Sequence, residues 1–176
     1  ARVKMWEWNV ILLVVLTGWP ATVSAEAPAD AWPCSRGEFA RVGVAPKGVP
    51  MKPDRLWRVA IDGTFNAAPV VAGGVVYAAT DEGLVEARSL ATGEKKWSIK
   101  LEDPVAATPC VHGDHLYVAT EFGDVFCLKT SDGSKVWEFK TDGEVQSSPA
   151  VVGDGLLIGS YDQRLYRLNR KDGKKV

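Results

Sequence analysis

Ala87-Arg88-Ser89-Leu90-Ala91-Thr92-Gly93-Glu94-Lys95-Lys96-Trp97 decides the fold, because its landmarks return 40 residues later in Cys127-Leu128-Lys129-Thr130-Ser131-Asp132-Gly133-Ser134-Lys135-Val136-Trp137. Trp57, Trp97 and Trp137 keep that step, as do Pro69, Pro109 and Pro149, and the turn glycines Gly93, Gly133 and Gly173. No insertion breaks the register. A fixed period of this size means that one supersecondary unit is copied and stacked.

Within each copy, short alternating or apolar runs are separated by turn residues. Trp57-Arg58-Val59, Trp97-Ser98-Ile99 and Trp137-Glu138-Phe139 alternate and predict strands with one buried face. Small residues and a proline follow, then a short strand near Val70-Val71, Val111 or Val151, and a tight turn. The next strands, Val75-Ala79, Leu116-Ala119 and Leu156-Gly159, are nearly continuous apolar runs, which suits burial on both faces. A second turn leads to a third strand such as Val125-Leu128 or Leu165-Leu168. Thr92-Gly93, Asp132-Gly133 and Asp172-Gly173 then close the unit as hairpins, where glycine accepts positive φ cheaply.

Four antiparallel strands in about 40 residues, with no helical period, is the size of a β-propeller blade. The fold class is therefore all-β: a partial propeller of about three blades. Residues 56–176 hold the outer strand of a preceding blade, two full blades and one incomplete blade. By register the next tryptophan falls at position 177, past Val176. The expectation is a portion of a ring of seven or eight blades rather than a ring assembled from several copies.

Residues 1–25 read as a secretory signal. Arg2 and Lys4 precede the apolar Val10-Ile11-Leu12-Leu13-Val14-Val15-Leu16, and Ala21-Thr22-Val23-Ser24-Ala25 offers a small-residue exit. An uncleaved anchor is the alternative, but the apolar core is short of the roughly 20 residues that span a bilayer. Export to a periplasm or beyond follows, with no membrane span left after cleavage. Residues 26–55 form a proline-rich lead-in (Pro28, Pro33, Pro46, Pro50, Pro53) without apolar periodicity.

The net charge of −1 gives no reason to expect nucleic acid as a partner. Three cysteines are too few for a disulfide scaffold; Cys110 and Cys127 read as small buried thiols and Cys34 as a leftover in the lead-in. His112 and His115 flank one turn without a third ligand at metal-site spacing, so no metal site is expected.

Ala87 to Trp97 resembles the quinoprotein (PQQ-like) repeat, Ala-x-Asp-x-x-Thr-Gly-x-x-x-Trp. Cys127 to Trp137 keeps its Gly-x-x-x-Trp, and Arg167 to Val176 keeps Asn169 and Gly173. WD40 repeats differ, since Arg58, Ser98 and Glu138 follow the tryptophans where aspartate would stand, and the kelch period is too long. Ser147-Ser148-Pro149 is also typical of the quinoprotein repeat. Trp32-Pro33-Cys34-Ser35-Arg36-Gly37 looks like the Trp-Pro-x-x-Arg-Gly lead-in of exported PQQ-like repeat proteins of planctomycete-type bacteria.

This resemblance implies one of two roles. Some members are alcohol or sugar dehydrogenases holding pyrroloquinoline quinone (PQQ) and calcium above the propeller axis. Others, such as the scaffold lipoprotein of the outer-membrane β-barrel assembly machinery, bind protein instead. No Cys-Cys pair occurs here, and no calcium ligand or catalytic aspartate can be assigned. A non-catalytic binding or scaffold module for protein partners at the cell envelope is therefore preferred. The alternative is part of a PQQ-dependent dehydrogenase whose cofactor site lies mostly elsewhere.

Strand direction places the candidate docking face. In an up-and-down blade the outer-to-inner loops share an end with the turns between second and third strands. Those segments hold Asp62, Phe65, Asn66, Asp81, Glu82, Glu102, Asp103, Glu121, Phe122, Asp124, Asp142, Glu144, Gln146 and Asp162. The opposite end carries Lys95, Lys96, Lys135, Lys171, Lys174 and Lys175. One acidic and one basic end are expected.

Overall fold

A strand that alternates its side chains between two apolar neighbours must have a partner layer on each side, and this chain meets that demand by stacking sheets. The computed structural model describes residues 33–35 and 55–176; the signal segment and most of the lead-in lie outside the described residues. The first blade comprises β1 (Val70–Ala72), β2 (Val75–Ala79), β3 (Leu84–Ser89) and β4 (Lys95–Lys100). The second comprises β5 (Cys110–His112), β6 (His115–Ala119), β7 (Asp124–Lys129) and β8 (Lys135–Lys140). The third comprises β9 (Ala150–Val152), β10 (Gly155–Ser160) and β11 (Arg164–Asn169). Every sheet is antiparallel with its strands in chain order.

Strand β6 shows why stacking is obligatory. Leu116 and Val118 join the core shared with the first blade, whereas Tyr117 and Ala119 join the core shared with the third. All four are fully buried. Each large side chain withdrawn from water in this way contributes about 1.5–3 kcal/mol, and neither face could be covered by its own sheet.

The repeated tryptophan fastens one blade to the next. Trp97 and Trp137 are 9% and 7% exposed, on strands whose other residues are mostly open to solvent. The Trp97 Nε1–H donates to the Thr130 carbonyl at 2.8 Å, and that of Trp137 to the Arg170 carbonyl at 2.8 Å. Each ring also lies on the hairpin glycine of the following blade. A Cβ at Gly133 would stand 2.8 Å from the Trp97 ring, and one at Gly173 would stand 2.7 Å from that of Trp137. Tyr77 and Tyr117 pack beside them, each 6.0 Å between centroids from the tryptophan of its own blade. In both blades the ladder shifts just before the tryptophan, from Ala87↔Trp97 to Arg88↔Lys95 and from Cys127↔Trp137 to Leu128↔Lys135. Lys96 and Val136 are thus left as the extra residue of a bulge, a device that re-aims the next side chain.

The structure departs from expectation ahead of the first blade. Residues 56–61 form no strand: Leu56 is exposed, and nothing among the described residues offers this segment a ladder. Trp57 nevertheless docks as its later copies do, donating to the Leu90 carbonyl at 2.8 Å above Gly93. A fourth strand of the third blade is reduced to a single bridge, Leu168↔Lys175. Leu165 is therefore 73% exposed, although its repeat equivalents Val85 and Val125 are fully buried.

Two measurements test this account. Trp97→Ala should lose about 3–5 kcal/mol in urea unfolding, and an unchanged midpoint would refute the docking role. Gly113 and Gly133 both have positive φ, but only Gly133 has a ring over it. Gly113→Ala should therefore cost about 1–2 kcal/mol, and Gly133→Ala about 1–3 kcal/mol beyond that.

Candidate functional site

Polar and aromatic residues gather at the end of the blades where the outer-to-inner loops meet the turns between second and third strands. Backbone hydrogen bonds brace the two sets of loops. The Asp81 N–H donates to Thr64 O at 2.9 Å, Val105 N–H to Thr80 O at 3.1 Å, and Glu121 N–H to Pro104 O at 2.8 Å. Val145 N–H and Tyr161 N–H repeat the pattern onto Glu121 O and Glu144 O at 3.0 and 2.9 Å. The loops of successive blades are thus tied into one continuous rim. Gly123 permits the closest approach: its φ is +103°, and a Cβ there would stand 2.5 Å from the Gly143 carbonyl.

On this rim Phe65, Phe122 and Tyr161 are 48%, 55% and 64% exposed. Asp62, Asn66, Glu82, Glu102, Asp142, Glu144 and Gln146 are also exposed, while Asp81, Asp103, Glu121, Asp124 and Asp162 are half-buried. Phe65 stands at the repeat position of Val105 and Val145, which are fully buried, so its exposure belongs to the open flank of the first blade. Tyr161 was not singled out from the sequence; its hydroxyl donates to Gln146 Oε1 at 3.0 Å. The signal for it was its repeat register with Asp81 and Glu121.

Several of the predicted acids have work within the fold. Asp81 Oδ1 accepts the Thr64 N–H at 2.6 Å. Asp162 accepts the Tyr166 hydroxyl and the Arg164 N–H. Glu82 pairs with Lys100 at 3.8 Å, Asp124 with Lys140 at 2.7 Å and Asp142 with Arg164 at 2.5 Å. Asp62, Glu102, Glu121 and Glu144 stand outside ion pairs among the described residues.

The charge contrast between the ends is weaker than expected. Hydrogen bonds from Leu90 to Gly74, Thr130 to Asp114 and Arg170 to Asp154 join the hairpins at the lysine-bearing end. That end also holds acids: Lys95 approaches Glu86 at 3.8 Å, Lys135 pairs with Glu138 at 2.6 Å and Lys174 with Asp172 at 3.3 Å. Lys96, Lys171 and Lys175 are exposed there. Counting lysines alone overlooked the carboxylates that strands β3 and β8 and the hairpin at Asp172 set beside them.

Between the first two blades, the outer flank of the rim opens into a groove of about 530 Å³. Asp103, Asp124, Phe126, Lys135 and Lys140 are among its lining residues. The hydrogen bond between the Asp103 and Asp124 carboxyl groups raises the pKa of Asp103, with burial and the Asp124 charge adding to it. No group of three or more His, Cys, Asp or Glu side chains that could hold a metal ion comes together among the described residues. Asp81 and Asp162 serve as caps and Glu82, Asp124 and Asp142 are drawn into ion pairs, so the rim carboxylates among the described residues do not converge as a calcium-binding donor set.

A family model described as outer membrane protein assembly factor BamB matches residues 54–108 and 81–176. Among solved structures, BamB from Moraxella catarrhalis is 28% identical with a TM-score of 0.55, covering 59% of this chain and 33% of that one. The quinohemoprotein alcohol dehydrogenase ADHIIG from Pseudomonas putida HK5 is 17% identical with a TM-score of 0.69, covering 84% of this chain and 26% of its own. A europium-containing methanol dehydrogenase is 15% identical with a TM-score of 0.72, covering 84% and 31%. The chain spans a third or less of these proteins, and the two dehydrogenases show the shared fold alone. No curated protein matches in sequence.

Two pH effects follow. Above the ordinary carboxylate pKa of 3.8, the raised Asp103 pKa makes its charge unfavourable in the folded state. Asp103→Asn should therefore stabilise at neutral pH, with the gain vanishing below that value. Burial lowers the His112 pKa from 6.5, so the unfolded chain binds the proton first. Stability should fall as pH drops below about 6.5, and His112→Gln should flatten that part of the profile; melts across pH 4–8 check both.

Proposed function

The chain belongs to the PQQ-like repeat family described as outer membrane protein assembly factor BamB, and from that premise we propose that it is a non-catalytic binding module for protein partners at the cell envelope. The carrying observation is the braced rim, where exposed Phe122 and Tyr161 stand among carboxylates on loops fixed by main-chain hydrogen bonds. Rigid aromatic anchors bury large area at little entropic cost, and the unpaired acids around them favour a partner segment that carries cationic residues. Export through the segment 1–25 belongs to the same reading. Among the described residues no helix is long and apolar enough to cross a membrane.

The dehydrogenase reading has the support of shared fold with the quinoprotein enzymes. It lacks a matching donor set in these blades, and no step is derived through the quinone.

A photo-crosslinking amino acid placed at Phe122 should give protein adducts in envelope fractions, while the same group at Val152, at the other end of the blades, should not. Reversing Glu102 and Glu144 to lysine should weaken the Phe122 adducts at least tenfold. Addition of PQQ and calcium should yield no dye-linked alcohol oxidation; turnover would favour the dehydrogenase reading.

A further inference from the structure

His112 and His115, too few for a metal site, are brought by the fold into company of a different kind. They stand directly opposite each other where β5 and β6 meet the turn Gly113-Asp114. Residues opposite each other share a face of the sheet, and so do residues two apart on one strand. Both imidazoles therefore lie on the face that carries Tyr117, which packs against the third blade. The His115 and Tyr117 ring centroids are 6.3 Å apart. The Val111 N–H donates to the Pro33 carbonyl at 2.7 Å, so β5 is tied to the lead-in as well as to β6.

The third blade adds Arg170, whose carbonyl receives the Trp137 indole. Its guanidinium adjoins the Tyr117 hydroxyl: burial pushes that hydroxyl up to about 12, and the guanidinium acts in the opposite direction. Neither the Tyr117 hydroxyl nor Arg170 Nε completes a hydrogen bond, although both atoms are buried. Among the described residues no ion pair includes Arg170. Asp154, in the adjoining turn, is taken by Arg167 at 2.8 Å. Burial lowers the His112 pKa, and the charges of Arg170 and His115 lower it further, as an uncompensated positive field does.

The repeat supplies an internal control. One period earlier, the positions of His112, His115, Tyr117 and Arg170 hold Ala72, Val75, Tyr77 and Thr130. Those four are among the residues lining an open cleft of about 320 Å³ between the first two blades. There the Tyr77 hydroxyl is hydrogen-bonded with the Thr130 side chain. Trp97 and Trp137 nevertheless reach their carbonyls at the same 2.8 Å. Joining two blades thus needs neither the imidazoles nor the guanidinium.

We propose that the junction of the second and third blades is a binding site for a small tetrahedral oxyanion such as inorganic phosphate. Arg170 Nε and the Tyr117 hydroxyl supply buried donors at its floor, and the half-buried His112 and His115 flank its mouth. A cation would be repelled by the guanidinium, and a water molecule would satisfy the donors while leaving the charge unopposed. The site lies at the opposite end of the blades from the rim and does not rest on the role proposed for it.

The chain contains only these two histidines, so their ring C2–H proton signals report on this site alone. Inorganic phosphate added to the full chain at a fixed pH of about 6, near the ordinary histidine pKa, should shift both signals saturably. Chloride at equal ionic strength should not. Arg170→Thr restores the residue of the preceding repeat and keeps the carbonyl that receives Trp137. It should weaken phosphate binding about tenfold, as expected for loss of a charge-assisted hydrogen bond, with unchanged tryptophan emission. Phosphatidylglycerol vesicles should sediment wild-type and Arg170→Thr protein alike, because Tyr117 is sealed from the surface. Sedimentation that depends on Arg170 would assign the site to a lipid headgroup and overturn a free anion. Shifts that do not saturate, or that persist undiminished in Arg170→Thr, would leave an ordered water only and overturn the proposal.

Discussion

One constraint governs this molecule: a single sheet whose both faces are apolar cannot exist alone in water. Each blade therefore carries half of a core that only its neighbour completes. The Trp97 and Trp137 indoles add direction to that generic demand. Apolar burial would tolerate sliding between sheets, but an N–H that must reach one carbonyl, with its ring seated on one glycine, fixes the offset between blades. The glycine thus serves two tryptophans at once. Its positive φ turns the hairpin that delivers the indole four residues later, and its bare Cα accepts the indole of the blade before.

This division of labour leaves the rim free to vary. Positions that hold the blades together repeat with the period, whereas Asp81, Glu121 and Tyr161 occupy one register with three different side chains. Their main-chain bonds are nevertheless preserved. The backbone of the rim is held in register from blade to blade, while the side chains it carries differ.

The blades were legible because their cause is local and repeated. Alternation in Trp97-Ser98-Ile99, the apolar run Leu116-Ala119 and the glycine hairpins each state a strand or turn in a few residues. What escaped depended on partners elsewhere in the chain. Trp57 carries the same local pattern as Trp97, yet its segment has no ladder among the described residues and so is not a strand. Pairing of Pro33 with Val111 carries no periodic signal, because a proline-rich stretch announces only what it will not form. Lysines alone predicted a basic end, but ion pairs such as Lys135–Glu138 become visible only once the bulge at Val136 brings the two side chains to one face of the strand. Enclosure of the acids in caps, as at Asp81 and Asp162, was equally invisible to a count of charges.

Each tryptophan finds its carbonyl 33 residues ahead, at Leu90, Thr130 and Arg170 in turn. That separation is a ruler for assembly. In a chain that emerges or is threaded from its N-terminus, a blade stays provisional until the next hairpin arrives, and then becomes committed. Among the described residues each contact of this kind closes over the same 33 residues. Growth is therefore stepwise and processive, with the newest blade always the least protected against digestion or aggregation.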